Sequence, residues 1–338
     1  LLWQMAEKGI THAAMEVSSH ALELGRVKNI DFDVGIFTNL TQDHLDFHGT
    51  LDKYRQAKAQ LFAQLNEGKN NAEPRTAVLN ADDPNSEAMQ AATSARILTY
   101  GIKNEADITA ADIEIGAQEA CFTLKTAKGQ RKVTLHTTGL FSIYNALAAC
   151  GMGVSLGIEL DVIASALENM PGVPGRFEQV KCGQDFAAIV DYAHTPDGLE
   201  NILTTAQEFA TGRIILVFGC GGDRDRTKRP IMGRLGLEYA DIVYITSDNP
   251  RTEDPVAIIN EIEAGAKQAA KAKGSYYLIP DRRQAICAAL AEAKAGDVVL
   301  VAGKGHETYQ ILGQKTVHFD DREVIRDYFK ELNLPCSQ

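Results

Sequence analysis

The chain has 338 residues, of which 45% are apolar and 23% charged, as in a globular protein with room for two domains. No run of about 18 apolar residues is present, which argues against a membrane-spanning helix. Acidic side chains outnumber basic ones by 45 to 34, and the net charge of −11 opposes nonspecific binding to nucleic acid or to anionic membranes. The six cysteines are scattered, without a Cys-x-x-Cys pair, and fit a reducing cytoplasm.

Apolar strand patterns alternate with helical patterns in the first part of the chain, which predicts a mainly parallel α/β sheet. The predicted strands are 10–17, 32–37, 76–80 and 96–100. From residue 107 to 138 the apolar period changes to two, with a hairpin turn at 127–130. This change predicts a small antiparallel portion. Helices are expected at 142–156 and 161–168.

Two prolines and two glycines at 170–175 mark a domain boundary. The alternation of strands and helices then resumes, which predicts a doubly wound, Rossmann-like second domain. Its predicted strands are 186–191, 213–218, 241–246, 275–279 and 297–302, with a closing helix at 323–332. We therefore expect one domain over residues 1–170 and a second over residues 171–338.

A polar cluster follows the predicted strand at 32–37, where a ligand site is expected in an open α/β sheet. His44 and His48 stand four positions apart, so a helical turn would place both imidazoles on one face. Such a face binds divalent cations or positions phosphates. A helix capped by Thr41 or Asp43, with histidines on the surface, explains the segment equally well.

Two residues could complete a metal site at this edge. Glu16 ends the predicted strand 10–17 and could bind Mg²⁺, although an exposed glutamate before an N-cap at Ser18 is the alternative. Lys58 lies in an amphipathic helical pattern, where most lysines are solvated. A desolvated, unprotonated Lys58 could instead take up carbon dioxide as a carbamate and become an anionic metal ligand.

Three positions around the linker are candidates for binding an anionic ligand. Asn145 stands near the start of a helix, where its amide can cap the helix or bind a ligand. Arg176 directly follows the linker and suits a nucleotide phosphate or a local salt bridge. The segment from Asp191 to Asp197, which includes His194, lies between a strand and a helix. It is a ligand loop by position, or a capped helix with a surface histidine.

Three further strand ends carry charges of both signs. They are Gly219–Arg226, which contains Arg224, then Asp248–Arg251, and finally Gly303–Glu307. Together they suit a zwitterionic ligand with amine and carboxylate groups. Turn formation explains the glycines and the Asp-Asn-Pro sequence, but it gives no reason for Arg251 and Glu307 together.

Taken in order, six motifs closely resemble those of the Mur ligases over essentially the whole chain. They are Glu16–His20, Thr38–Asp46, Tyr144–Asn145, Gly175–Glu178, Asp191–His194 and Gly303–Glu307. The resemblance implies a monomeric, cytoplasmic, ATP-dependent amide ligase of peptidoglycan synthesis that works through an acyl phosphate. Asp248–Arg251 matches the Asp-Asn-Pro-Arg sequence of members that add meso-diaminopimelate to UDP-N-acetylmuramoyl-L-alanyl-D-glutamate.

The resemblance also implies roles for particular residues. Glu16, His44 and Lys58 would bind Mg²⁺, with Lys58 as its carbamate. Ser18 and Arg26 would contact the UDP-muramoyl dipeptide. The residues implied to hold ATP or its phosphates are Asn145, Arg176, Asp191 and His194. Those implied to bind diaminopimelate are Arg224, Asp248, Asn249, Arg251, Gly303 and Glu307.

The chain departs from the family pattern at its start. It contains no Gly-x-x-x-x-Gly-Lys-[Ser/Thr] phosphate loop and no N-terminal UDP-binding domain, and it begins at Leu1. We therefore expect a piece of a longer ligase that is inactive, or nearly so, by itself. Two alternatives remain open. One is a non-catalytic amino-acid-binding module, and the other is a metal-dependent phosphohydrolase built on Asp43, His44, Asp46 and His48.

Overall fold

The structure is a computed structural model that describes residues 2–41, 45–66, 75–116, 119–270 and 274–336. The chain forms two compact units, one of residues 1–108 with 148–157 and the other of residues 109–147 with 158–338. Both combine helices with strands, which confirms the predicted α/β class. The domain boundary predicted between residues 170 and 171 stays a prediction.

The first unit is built on three parallel strands, β1 (Val34–Phe37), β2 (Thr76–Asn80) and β3 (Arg96–Gly101). Its helices are α1 (Leu2–Glu7), α2 (Ser19–Glu23), α3 (Leu45–His48), α4 (Leu51–Gln64) and α5 (Ser86–Ala91). Every residue of β2 is buried, because β2 pairs with β1 on one side and with β3 on the other while apolar side chains of α4 and α5 cover it. The parallel sheet predicted for this region is thereby confirmed.

The strand predicted at residues 10–17 is wrong. Residues 10–18 form an irregular segment, and β1 is an edge strand in the described part of the chain. A strand requires a neighbour that shares its backbone hydrogen bonds, and an apolar composition alone does not supply one. Glu16 consequently lies exposed on an irregular segment and not at the end of a strand.

An antiparallel portion follows, as predicted. Strands β4 (Ile108–Ile115), β5 (Ala120–Thr126) and β6 (Gly129–Leu135) pair antiparallel in sequence order. Residues 127–128 form the turn between β5 and β6. Two helices come next, α6 (Leu140–Ser155) and α7 (Leu160–Glu168), and both agree with the predicted helices to within two residues.

A six-stranded sheet forms the rest of the second unit, in the order β11-β10-β9-β12-β8-β7. Its strands are β7 (Glu178–Gln179), β8 (Ala187–Asp191), β9 (Ile214–Phe218), β10 (Ile242–Ile245), β11 (Ser275–Leu278) and β12 (Val298–Ala302). All pairs are parallel except β7 with β8. The five predicted strands are confirmed, whereas β7 and the hairpin of β13 (Tyr309–Leu312) and β14 (Lys315–His318) were not anticipated.

Helices cover both faces of this sheet, which makes it doubly wound as predicted. Apolar residues of α8 (Pro196–Phe209), α9 (Lys228–Tyr239) and α10 (Pro255–Ala266) pack on one face. Those of α11 (Arg282–Glu292) and α12 (Asp321–Glu331) pack on the other. The central strands are apolar throughout, as expected for strands that helices cover on both faces. None of the helices in the described residues is long and apolar enough to cross a membrane.

Cys182 and Cys336 form a disulfide, which is contrary to the expectation that the scattered cysteines fit a reducing cytoplasm. The two cysteines are 154 residues apart, so their spacing carries no sign of the pair. They meet because the segment after α12 returns to the region just after β7. There Leu334 and Cys336 pack against the apolar core that lies between the sheet and helices α11 and α12. Cys121, Cys150, Cys220 and Cys287 remain thiols.

Candidate functional site

The parallel strands of the second sheet end level with one another. Their register pairs Asp191 with Ala302, Val217 with Val301, and Phe218 with Ile245. The loops that follow β8, β9, β10 and β12 begin at Tyr192, Gly219, Thr246 and Gly303 and therefore lie at one edge of the sheet. This is the edge at which doubly wound domains bind ligands. The prediction that these charged loops share one edge is confirmed.

Asp191 ties the segment after the linker to the end of β8. Its carboxylate is buried and accepts hydrogen bonds from the backbone N–H groups of Phe177, at 2.7 Å, and Ala193, at 2.6 Å. Burial raises the pKa of the Asp191 carboxyl above its usual range, while these hydrogen bonds and the charges of Arg176 and His194 act in the opposite direction. Asp191 thus fixes the backbone immediately after Arg176 and immediately before His194.

Arg176 and His194 lie beside the same aromatic ring. The guanidinium carbon of Arg176 is 4.7 Å from the centre of the Tyr192 ring, in a cation–π contact. The imidazole of His194 is 4.7 Å from that ring, and the imidazole of His306 is 5.3 Å from it. Arg176 and His194 are exposed, so their cationic and donor groups remain accessible to an anionic ligand. Arg176, Asp191 and His194 are thus brought together, as their proposed common role requires.

Two glycines let the linker segment approach the loop after β12 closely. A Cβ atom added to Gly175 would lie 2.0 Å from the backbone nitrogen of His306, and one added to Gly305 would lie 2.6 Å from the carbonyl oxygen of Gly175. Both residues have positive φ, +70° and +53°. Only glycine fits both the backbone conformation and the space. The Arg176 segment and the Gly303–Glu307 loop are therefore packed backbone to backbone.

Asn249 and Glu307 are joined by a hydrogen bond although 58 residues separate them. The amide Nδ2 of Asn249 donates to Oε2 of Glu307 at 2.9 Å. Asn249 is 2% exposed and Glu307 is partly buried. The loop after β10 and the loop after β12 therefore form one polar cluster.

Asp248 is a buried carboxylate beside Gly303. A Cβ atom added to Gly303 would lie 2.6 Å from Oδ2 of Asp248, and the φ of Gly303 is +116°. The backbone carbonyl oxygen of Asp248 accepts a hydrogen bond from Nε2 of Gln310 at 2.8 Å, which holds the residue in place. Because residue 303 is a glycine, no side chain covers the Asp248 carboxylate on the side of the loop after β12.

Arg251 is held in a left-handed backbone conformation, with φ +52°. Its Nη1 donates to the carbonyl oxygen of Gly222 at 2.8 Å, and its backbone N–H donates to the carbonyl of Ile311 at 3.1 Å. Arg224 is exposed nearby, since both arginine side chains lie within 4 Å of the Cβ position of Gly221. Two arginine side chains therefore approach the glycine turn at Gly221.

Two buried arginines beneath this edge, Arg229 and Arg282, were not among the predicted site residues. Arg229 is fully buried and donates to Glu253 at 2.8 and 2.9 Å, to Glu261 at 2.8 Å and to the carbonyl of Gly221 at 3.2 Å. Arg282 is also buried and bonds Asp321. Arginines on helices usually lie at the surface, so their sequence context alone carries no signal of burial. They support the glycine turn and the strand ends from below.

The ion pair of Arg229 and Glu253 predicts a pH dependence of stability. Hydrogen bonds from Arg229 and from the backbone of Asp223 lower the pKa of Glu253 from 4.5 to about 2. A carboxyl group with a lowered pKa contributes stability above its unfolded value and loses it as the pH falls through its folded value. We expect the free energy of unfolding to decrease between pH 4.5 and about pH 2. Glu253→Gln should reduce that slope in urea titrations at several pH values, and an unchanged slope would contradict the assignment.

Two of the three residues predicted to bind Mg²⁺, Glu16 and Lys58, lie in the described part of the first unit. Helix α2, just after Glu16, packs against α4, which carries Lys58. The imidazole of His48 is buried, with Nε2 2.9 Å from Oγ of Ser19 and its ring stacked on Tyr54. His48 thus has a structural role, since it links Ser19 of α2 to Tyr54 of α4. Lys58 Nζ is 5.2 Å from the centre of the Tyr54 ring.

The central predicted ligand of that site, His44, lies outside the described residues, as does Asp43. Across the ranges that the structure describes, no group of three or more His, Cys, Asp or Glu side chains is arranged to hold a metal ion. The donor types still suit a divalent cation, because a glutamate, an imidazole and a lysine carbamate supply oxygen and nitrogen ligands. The roles of Glu16, His44 and Lys58 stay predictions.

Three other predicted residues lie at accessible positions. Ser18 caps α2, since its Oγ accepts a hydrogen bond from the backbone N–H of Ala21 at 3.2 Å. This N-cap is the alternative given above to a metal-binding role of the Glu16 segment. Arg26 and Asn145 are exposed, the first just after α2 and the second in the first half of α6. Their ligand contacts stay predictions.

The fold is that of a two-unit α/β protein whose second sheet carries side chains of both charge signs along one edge. Residues 1–153 match the family model of the Mur ligase middle domain, and residues 175–305 match that of the Mur ligase, glutamate ligase domain. The chain belongs to the Mur ligase family. The resemblance inferred from six ordered motifs is thereby confirmed.

The similar proteins include curated ligases named UDP-N-acetylmuramoyl-L-alanyl-D-glutamate--2,6-diaminopimelate ligase. The one from Bacillus velezensis is 52% identical over 331 residues, which cover 98% of this chain and 66% of the relative. The one from Geobacillus thermodenitrificans is 51% identical over 328 residues, which cover 97% and 66%. The chain therefore spans about two thirds of the length of these relatives.

Solved structures give the same result for the fold. A structure of a ligase with that name matches with a TM-score of 0.66 and 37% identity, over 98% of this chain and 67% of the other. The MurF ligase of Thermotoga maritima, solved in complex with ADP, matches with a TM-score of 0.68 over 94% of this chain and 66% of the other. Its 20% identity shows a common fold only.

Proposed function

We propose that the chain is part of an ATP-dependent ligase that adds meso-diaminopimelate to UDP-N-acetylmuramoyl-L-alanyl-D-glutamate in peptidoglycan synthesis. The observation that carries the proposal is the meeting of Asp248–Arg251 with Glu307 at one sheet edge. These loops carry guanidinium, amide and carboxylate groups, with Asn249 hydrogen-bonded to Glu307 and Arg251 hydrogen-bonded to the carbonyl oxygen of Gly222. Diaminopimelate has two ammonium and two carboxylate groups, and it therefore complements both signs.

Each group at this edge has a place in the proposal. The guanidinium groups of Arg251 and Arg224 bind a carboxylate of diaminopimelate, since arginine and carboxylate form paired hydrogen bonds. The carboxylates of Asp248 and Glu307 accept from its ammonium groups, and Asn249 aligns Glu307. Gly303 leaves the space that a side chain would fill beside Asp248.

The nucleotide belongs to a different set of residues. Arg176, His194 and Asn145 bind ATP or its phosphates, and Asp191 holds the first two in place through the backbone. Mg²⁺ bound by Glu16, His44 and the carbamate of Lys58 would offset phosphate charge. Ser18 and Arg26 contact the UDP-muramoyl dipeptide. In this division residues 1–170 form the ATP-binding domain and residues 171–338 the amino-acid-binding domain.

The proposed reaction has two steps. An oxygen of the D-glutamate γ-carboxylate attacks the γ-phosphorus of ATP, so that ADP leaves and an acyl phosphate forms. The deprotonated amine of diaminopimelate then attacks the acyl carbon, a C–N bond forms and inorganic phosphate leaves. Cationic side chains such as Arg176 stabilise the transferring phosphoryl charge. We place this reaction in the cytoplasm, in a monomer that uses neither nucleic acid nor membrane.

Isothermal titration of the chain with meso-diaminopimelate tests the amino-acid site. We expect saturable binding, and we expect Arg251→Ala to weaken it by about 30-fold or more, because the carboxylate loses a charged hydrogen-bonding partner. L-Lysine, which lacks the second carboxylate, should bind the wild-type chain more weakly and should discriminate little between wild type and variant.

Arg234→Ala is the matched control for this titration. Arg234 is a partly exposed arginine on α9 that pairs with Glu238 at 2.7 Å, and its removal should leave the affinity within about twofold of wild type. Absence of diaminopimelate binding to the wild-type chain would refute the proposal. Binding to a full-length enzyme without ATP turnover would favour the non-catalytic module, and metal-dependent phosphatase activity would favour the phosphohydrolase.

A further inference from the structure

Lys304 is a fully buried lysine in the middle of the Gly303–Glu307 loop. Lysine is among the residues least often buried, because its ammonium group loses hydration unless charged or polar groups replace the water. The burial of Lys304 also excludes direct contact between its ammonium group and a ligand in the open site. Its place within the candidate amino-acid site therefore requires a different explanation.

The ammonium group of Lys304 is directed at two residues of that site. Nζ donates to Oε2 of Glu307 at 3.0 Å and to Oδ1 of Asn249 at 3.3 Å. It also lies 5.5 Å from the centre of the Tyr309 ring. One buried cation thus touches both the carboxylate that the proposed function assigns to diaminopimelate and the amide that aligns this carboxylate.

These contacts fix the orientation of the Asn249 amide. Its Oδ1 accepts from the backbone N–H of Ile311 at 2.9 Å as well as from Lys304, so the oxygen must face these donors. The Nδ2 group then faces Glu307 and donates to Oε2 at 2.9 Å. A flipped amide would place its N–H groups against two other donors.

The two oxygens of the Glu307 carboxylate consequently differ. Oε2 receives hydrogen bonds from both Lys304 and Asn249. Oε1 has only the Tyr309 hydroxyl, at 3.5 Å, among the residues that the structure describes. Oε1 is therefore the oxygen that retains accepting capacity for a ligand.

We propose that Lys304 is a positioning residue that fixes Oε2 of Glu307 and the amide of Asn249, so that Oε1 faces the ammonium group of the bound amino acid. This inference rests on the proposed function, since it names the residue that orders its amine-binding group. Lys304 itself does not touch the ligand. A carboxylate held by two internal donors is already oriented before binding, which lowers the ordering cost of recognition.

The test is a double-mutant cycle on meso-diaminopimelate binding by isothermal titration, with the variants Lys304→Met, Glu307→Gln and their combination. Each single change should weaken binding by about 10- to 100-fold, the range for one charged hydrogen bond. The combination should bind within about twofold of Glu307→Gln alone, because Lys304 acts only through Glu307 and Asn249. A structural role without positioning predicts that the two losses multiply.

Lys315→Met is the control, since Lys315 is an exposed lysine in the neighbouring hairpin and its loss should not change the affinity. Lys304→Gln, which keeps a hydrogen-bond donor without the charge, replaces Lys304→Met if the latter does not fold. Wild-type affinity in either Lys304 variant, or multiplying losses, would overturn the inference and leave the proposed function intact. A wild-type chain that does not bind diaminopimelate would overturn both.

Discussion

Replacing Asp321 with alanine is expected to lower the free energy of unfolding by about 3–5 kcal/mol, because it leaves a buried guanidinium without its counter-charge. Arg282 and Asp321 are both fully buried. Nε of Arg282 donates to Oδ1 of Asp321 at 2.8 Å and Nη2 donates to Oδ2 at 2.7 Å, a paired arrangement. Equilibrium unfolding in urea measures the loss.

Asp327→Ala is the matched control, because Asp327 lies on the same helix and pairs with Arg283, the neighbour of Arg282. That pair spans 3.3 Å, but its side chains are 49% and 44% exposed. Its loss should cost about 0.5 kcal/mol or less. Equal losses for the two alanine variants would contradict the assignment. The double change Arg282→Met with Asp321→Leu should recover part of the stability, because it removes both buried charges but also the donor to the carbonyl oxygens of Ala302 and Ser247.

The same ion pair supports the candidate site. Nη2 of Arg282 also donates to the carbonyl oxygen of Ala302 at 3.0 Å, at the end of β12, and Nη1 to that of Ser247 at 3.4 Å. These carbonyls directly precede Gly303 and Asp248. Asp321→Ala should therefore weaken diaminopimelate binding even at temperatures where the variant is folded.

Gly175→Ala is the second change with a large expected effect. The added methyl group would lie 2.0 Å from the backbone nitrogen of His306 and 2.3 Å from the carbonyl carbon of Gly305. Neither group can move without displacing the loop that carries Glu307. We expect a loss of about 3 kcal/mol or more in the free energy of unfolding, since steric overlap adds to the strain of a positive φ. Thermal and urea unfolding measure it.

Gly313→Ala separates the cost of backbone strain from the cost of steric overlap. Gly313 has a similar φ, +61°, but no heavy atom lies within 4 Å of its Cβ position. Its replacement should cost about 1–2 kcal/mol, which is the backbone strain alone. If Gly175→Ala were no more damaging than Gly313→Ala, the close approach of the two loops would not be as described.

The strands of the second sheet were predictable because the run of apolar residues that indicates a buried strand lies within the strand itself. Ile214–Phe218 is apolar at every position, and each of its residues is buried between two layers of helices. The strand predicted at 10–17 failed because its apolar pattern could not reveal whether a neighbouring strand would pair with it. The hairpin at 309–318 was missed because its residues are mostly exposed and lack an apolar alternation.

The sequence by itself determined most of the strands and helices, the loops that carry charge at strand ends, and membership of the Mur ligase family. These features depend on the periodicity of apolar residues and on motifs of a few neighbouring residues. Only the tertiary structure decided which charged side chains are buried and what they hold. Arg282 meets Asp321 across 39 residues and Lys304 meets Asn249 across 55, because folding, and not sequence proximity, places them together.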